Sequence, residues 1–165
     1  MILPQKVLSG GSAAEGLTIV SGTVNAASVT SAHNAHLEIW ANSGNSPSSQ
    51  IGSDSESVFV NSGGEKTLNF TTPVPIEGVS TFWIIHFADG GDVNYNRHTS
   101  VAGTDVDGGD FEIGQTAQNL VLGSSVVHRT SVLLSDGTRL GNRDVGSTAI
   151  GVSSGLILGI RITRS

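Results

Sequence analysis

The sequence predicts an all-β domain built as an antiparallel sandwich, and three observations predict it. Apolar residues recur with period two or in short runs. Gly, Ser, Asn and Asp separate these runs, at intervals of about 8–12 residues, the spacing of a sandwich or barrel. Nowhere do apolar residues at i, i+3, i+4 and i+7 persist over several turns, so no helix is expected.

Taken in order, Leu17 to Val24 reads as the first strand. His36-Leu37-Glu38-Ile39-Trp40 alternates, with Leu37 and Ile39 on one face and His36, Glu38 and Trp40 on the other. Asn42 to Ser49 reads as a loop, because Pro47 cannot donate to a ladder. Val58 to Val60 and Thr67 to Phe70 are short strands joined by a turn through Gly63-Gly64. Pro73-Val74-Pro75-Ile76 fits only a sheet edge or a crossing between sheets. Thr81 to Phe87 is the strongest strand, and its apolar residues on both faces place it centrally. Ala88 to Gly109 is expected to be a long polar loop, of a length that often makes contacts. Strands are then expected over 111–113, 119–122, 125–128, 131–134, 147–152 and 156–162, with an Asp136-Gly137 hairpin turn.

The chain's 165 residues suit one domain. Residues 1–16, with Ser9-Gly10-Gly11-Ser12, are expected to form an N-terminal arm, and residues 17–165 the sandwich. Only 13% of residues are charged, against about 25% usually. Polarity comes instead from Ser, Thr, Asn and 22 Gly, a mixture that favours turns and β surfaces. Cysteine is absent, which excludes disulfides, thiolate metal sites and cysteine nucleophiles. With 14 acidic and 8 basic residues the net charge is −6, which repels polyanions, so nucleic acid is not an expected partner. Arg129, Arg139, Arg143, Arg161 and Arg164 are spaced singly and read as surface groups. Met1 to Leu8 is short and broken by Pro4, so no signal peptide is expected. No run approaches the ~18 apolar residues of a membrane span, so no membrane insertion is expected.

The order Leu37-Glu38-Ile39-Trp40, Gly44 to Pro47-Ser48, Asn69-Phe70 with Pro73-Val74, and Thr81-Phe82-Trp83-Ile84-Ile85 resembles a jelly-roll β-sandwich module of bacterial extracellular proteins and phage tail or virion proteins. The Asp89 to Tyr95 stretch continues that likeness, which covers residues 17–97. The resemblance implies a single antiparallel jelly-roll sandwich engaged in surface display, attachment and carbohydrate contact. It implies no catalytic residues.

Four groups of residues have chemical potential. Asp105, Asp107, Asp110 and Glu112 gather four carboxylates in one short stretch, oxygen ligands of the kind Ca²⁺ takes, although the spacing departs from an EF-hand. Tyr95, Trp40, Asp92 and Arg97 could form a sugar platform of aromatic faces and polar groups, with Tyr95 exposed on its loop. The competing expectation for Trp40 and Trp83 is that they fill the sandwich core. Gly151-Val152-Ser153-Ser154-Gly155 matches a nucleophile elbow, but neither Asp nor His follows it, so it reads as a turn. His33 and His36, three apart, would share a face on a helix, but the segment reads as a loop entering a strand, so the spacing is not expected to make a zinc site.

The expectation is therefore a non-enzymatic virion component, a capsid decoration protein or part of a tail or fibre, assembled in the host cytoplasm. Its expected partners are identical subunits in a homotrimer, capsid or tail proteins, and host-surface glycans. The alternative is a carbohydrate-binding module or adhesin.

Overall fold

The computed structural model describes residues 16–44, 46–98, 106–108, 112–113, 127–141, 148–153 and 156–163. All regular structure in them is strand. Along the chain these are β1 (Thr18–Ser31), β2 (His33–Ser43), β3 (Ser46–Ile51), β4 (Val58–Val60), β5 (Gly64–Pro75), β6 (Thr81–Asp89) and β7 (Asp92–His98). There follow β8 (Val106–Gly108), β9 (Glu112–Ile113), β10 (Val127–His128), β11 (Thr130–Leu134), β12 (Arg139–Gly141), β13 (Thr148–Ser153) and β14 (Leu156–Thr163).

They form two antiparallel sheets packed face to face, a β-sandwich. The first has the order β10-β7-β1-β11-β12, with β5 also on β1 and β13 also on β7. The second has the order β3-β2-β6-β14-β8, with β4 also on β2 and β9 also on β14. Period-two alternation directs each strand's apolar set inward. Ile19, Val24, Leu68 and Val132 of the first sheet meet Leu37, Ile39, Phe82, Ile84, Ile160 and Ile162 of the second in one buried cluster. Each such side chain contributes about 1.5–3 kcal/mol when fully buried. At Gly22 the packing leaves no room for a side chain: a Cβ would collide with the Leu37 side chain and press on the Ser131 carbonyl.

Three sequence expectations are corrected. Ala88 to Gly109 does not begin a long loop: β6 runs to Asp89 and β7 resumes at Asp92. Asn42 to Ser49 is a tight turn at Gly44 (φ 63°) followed by β3, and Pro47 lies in that strand opposite Asn42. The end of the sheet tolerates a residue that cannot donate. β1 is much longer than Leu17 to Val24, because its polar second half, Ala26 to Ser31, pairs with β7. Pro75 ends β5 opposite Thr18, and Ile76 then leaves for β6 in the other sheet, as the two prolines required. The N-terminal arm and the 119–122 strand lie outside the described residues.

Two of the crossings between the sheets are tight corners that abut. At one, Ala32 separates β1 from β2; at the other, Gly90-Gly91 separates β6 from β7. Both glycines are left-handed, with φ of 78° and 62°. A Cβ on Gly91 would overlap the carbonyl oxygens of Ser31 and Ala32. The Asp92 amide donates to Ser31 Oγ at 3.0 Å, which ties the two corners together.

Behind the corners lies a buried polar cluster. His33 Nε2 and the Tyr95 hydroxyl are 2.6 Å apart, and His86 meets the Tyr95 ring edge-on at 4.6 Å. Burial holds His33 below its ordinary pKa of 6.5, opposed by the Gly90 main chain and the Asp92 and Asp89 carboxylates. Burial pushes the Tyr95 phenol upward.

Two outcomes follow. Gly91→Ala should destabilise the fold by about 1–3 kcal/mol from left-handed strain alone, and further by displacing the Ala32 carbonyl; urea unfolding would measure it. Because His33 is depressed in the folded state, the unfolded chain binds the extra proton first as pH falls. Stability should hold above pH 6.5 and decline below it at up to about 1.4 kcal/mol per pH unit until the folded-state pKa is passed. The slope between pH 6.5 and 5 should flatten in His33→Gln.

Candidate functional site

β2 inserts Ala35, Leu37 and Ile39 into the core and therefore turns His36, Glu38 and Trp40 outward. β6 likewise inserts Phe82 and Ile84 and turns out Trp83, Ile85 and Phe87. Ladder pairing sets these positions in register across the second sheet. Gln50, Trp40, Trp83, Arg161 and Asp107 form one row, from β3 to β8. Glu38, Ile85 and Gly159 form the next, and His36, Phe87, Ile157 and Glu112 the third.

The outer face thus has an apolar centre and a polar margin. Trp83 and Ile85 are fully buried there, with the half-buried Trp40 and Phe87 packed against them. Trp83 Nε1 donates to Asn42 Oδ1 at 2.9 Å, so burial leaves the indole N–H satisfied. An Arg161 guanidinium nitrogen donates to the Gly44 carbonyl at 3.2 Å and holds the β2–β3 turn. At the opposite end, Phe59 of β4 is the large apolar residue most open to solvent among the described residues, at 59% exposure.

His36, Glu38 and Asp54 converge at one margin. His36 Nε2 lies 2.8 Å from Glu38 Oε2 and 3.7 Å from Asp54 Oδ2. Glu38 Oε1 accepts a hydrogen bond from Trp40 Nε1 at 2.8 Å, and Asp54 Oδ1 accepts one from Gln50 Nε2 at 2.7 Å. The His36 ring lies flat on Phe87, centroids 4.9 Å apart and planes 4° from parallel.

Asp54 reaches this place because of its neighbour. β4 covers residues 33–35 of β2 and β3 covers residues 39–43, which leaves the stretch between them without a ladder partner on that edge. Ser55 fills the gap. The Leu37 amide donates to Ser55 Oγ at 2.8 Å, and the Ser55 amide donates to the Leu37 carbonyl at 2.9 Å. The buried Ser55 thereby stands in for a strand, and the residue before it is delivered to His36.

The structure separates the residues that the sequence grouped. Trp40 is on the outer face of the second sheet, whereas Tyr95 belongs to β7 of the first sheet and is fully buried among core residues. Its expected exposure on a loop is wrong: the polar stretch around it forms a strand, and the ring fills the space between His33 and His86. Asp92 is exposed at the β6–β7 corner. Arg97 stands opposite His128 and Thr148 in the first sheet's ladders. The four do not form one platform. Trp83 is buried, as the core-filling expectation had it, but in a second cluster with Ile85 on the outer side of the second sheet, and Trp40 is half-buried against it. Of the acidic stretch, Asp107 and Glu112 lie on β8 and β9 opposite Arg161 and Ile157, and Asp105 and Asp110 lie outside the described residues. The Gly151–Gly155 motif has Gly151 to Ser153 in β13 and is followed by the strand β14, not by the helix a nucleophile elbow needs. His33 points inward and His36 outward, as odd spacing on a strand requires.

The His36–Glu38–Asp54 group was half legible. His-x-Glu-x-Trp alternation places His36, Glu38 and Trp40 on one face, but nothing in the sequence brings Asp54 across to them. No family model, curated protein or solved structure matches this chain.

Ser55→Ala should cost about 1–3 kcal/mol, the penalty of a buried Leu37 amide left without its acceptor. Urea unfolding would show it, and the Leu37 amide should exchange with solvent faster in the variant while amides of β14 do not.

Proposed function

We propose that this protein is a structural component of a bacteriophage particle, a capsid decoration protein or part of a tail or fibre, and that it works by surface contact through the outer face of its second sheet. The observation that carries the reading is the composition of that face. An apolar centre of Trp83 and Ile85, extended by Trp40 and Phe87, is bordered by His36, Glu38, Asn42 and Arg161. Trp40 and Phe87, half-buried over that centre, and Arg161 in the polar rim are side chains of the kinds enriched where proteins bind one another. The low charge content and the abundance of Ser, Thr, Asn and Gly support an exposed, densely packed β assembly. The jelly-roll connectivity implied by the resemblance belongs to this proposal, as do assembly in the host cytoplasm, docking on capsid or tail proteins and a closed homotrimer.

A second reading, a carbohydrate-binding module or adhesin, is favoured by one particular feature. The half-buried Trp40 is surrounded by Glu38, His36 and Gln50, and a ring flanked by fixed hydrogen-bonding groups suits a pyranose.

The two readings separate experimentally. Genes for capsid, portal or tail proteins are expected on either side of this gene, and the purified protein should sediment as a trimer with no signal on a glycan array. A monomer that binds defined glycans, with binding weakened tenfold or more by Trp40→Ala, would replace the first reading with the second.

A further inference from the structure

We propose that His36, Glu38 and Asp54 bind a divalent first-row transition-metal ion of the Zn²⁺ type. The inference is independent of whether the outer face docks on protein or sugar.

The donor atoms are already gathered. One ligand atom from each residue lies within 4.8 Å of the other two. With metal–ligand bonds near 2.1 Å, tetrahedral donors stand roughly 3.4 Å apart. The distances from His36 Nε2, 2.8 Å to Glu38 and 3.7 Å to Asp54, bracket that value. Seating an ion between them requires changes of about 0.6 Å along the first and about 0.3 Å along the second, with the two carboxylates, whose donor atoms lie within 4.8 Å of each other, drawn together.

The groups behind the donors are arranged as supports for a metal site. Each carboxylate has one oxygen held by a neutral N–H donor, Trp40 Nε1 on Glu38 Oε1 and Gln50 Nε2 on Asp54 Oδ1. The other oxygen of each is thereby turned toward His36 Nε2. The flat stack on Phe87 fixes the imidazole plane. The double hydrogen bond between Ser55 and the Leu37 main chain fixes the segment that carries Asp54. A surface histidine paired with one acid needs none of this; convergence of three separately restrained donors is what an ion would use.

The donor set selects the ion. One imidazole nitrogen with two carboxylate oxygens suits Zn²⁺ and its neighbours, whereas Ca²⁺ and Mg²⁺ prefer all-oxygen shells. Three protein ligands leave a position for water. The Asp54 side chain is 53% exposed and that of His36 28% exposed, so the ion has a path in from solvent.

The test is titration of the metal-free full-length protein with ZnCl₂ and CoCl₂, read by thermal unfolding and by the visible absorption of bound Co²⁺. Zn²⁺ and Co²⁺ should raise the unfolding midpoint, and Mg²⁺ or Ca²⁺ at the same concentration should not. Apparent affinity should fall at least tenfold in His36→Gln and in Asp54→Asn. The asparagine keeps the Gln50 hydrogen bond on an exposed segment, so that variant leaves the fold intact. Trp40→Phe, which removes the N–H donor behind Glu38 and keeps an aromatic ring beside Trp83, should weaken binding about 10-fold. Asp92→Asn, at a corner with no part in the group, should bind as the unaltered protein does. Absence of any Zn²⁺ or Co²⁺ response in the unaltered protein would overturn the proposal, and so would a response of equal strength in Asp54→Asn.

Discussion

The register of β2 governs the rest of the molecule. This strand pairs with β6 from Asn34 to Ala41 without interruption. Because side chains alternate, a slip of one residue would bring His36, Glu38 and Trp40 into the core and expel Leu37 and Ile39. That exchange would leave a carboxylate and an imidazole buried without water and would strand about five kcal/mol or more of apolar burial outside. Leu37 locks the register twice. Its side chain lies against Gly22, the glycine of β1, where a Cβ would collide with it, and its main chain is gripped by Ser55. The core and the outer face are thus consequences of one pairing.

The same pairing fixes the corners. With β2 beside β6, the chain must enter β2 from the first sheet and leave β6 toward it at the same end of the sandwich. Ala32 and Gly91 therefore meet, and only a glycine leaves room for the carbonyls there. Polar groups at this end pair with one another: His33 with Tyr95 in the interior, and the Asp92 amide with Ser31 Oγ at the surface. Burial of the His33 imidazole, only partly offset by the two acidic corner residues, holds its pKa below the ordinary value at this end of the fold.

Much of the sandwich was legible because period-two patterning is a local property. Val58 to Val60, the β11–β12 hairpin at Asp136-Gly137 and the inward and outward faces of β2 could all be read from consecutive residues. What escaped was set by partners distant in sequence. β3 contains a proline that argues against a strand until its place at the sheet's end is known. β7, Asp92–His98, is polar enough to pass for a loop, and it becomes a strand because β1 and β13 supply ladders on both sides. Tyr95 was misplaced for the same reason. Aromatic residues also lie on the outer face of the second sheet, where Trp83 is buried with Ile85 and Trp40 and Phe87 are half-buried against them. Half of the His36–Glu38–Asp54 group followed from alternation; Asp54 came from a hydrogen-bonded clasp that no sequence spacing encodes.

The central claim is that Leu37 faces the first sheet and Trp40 faces away from it. A nuclear Overhauser experiment on isotope-labelled protein tests it directly. The account predicts strong cross-peaks from the Leu37 methyl groups to the Gly22 α-protons, and from the Trp40 indole to Trp83 and not to Gly22 or Ile19. Cross-peaks linking the Trp40 ring to Gly22 or Ile19, with Leu37 open to solvent, would contradict it.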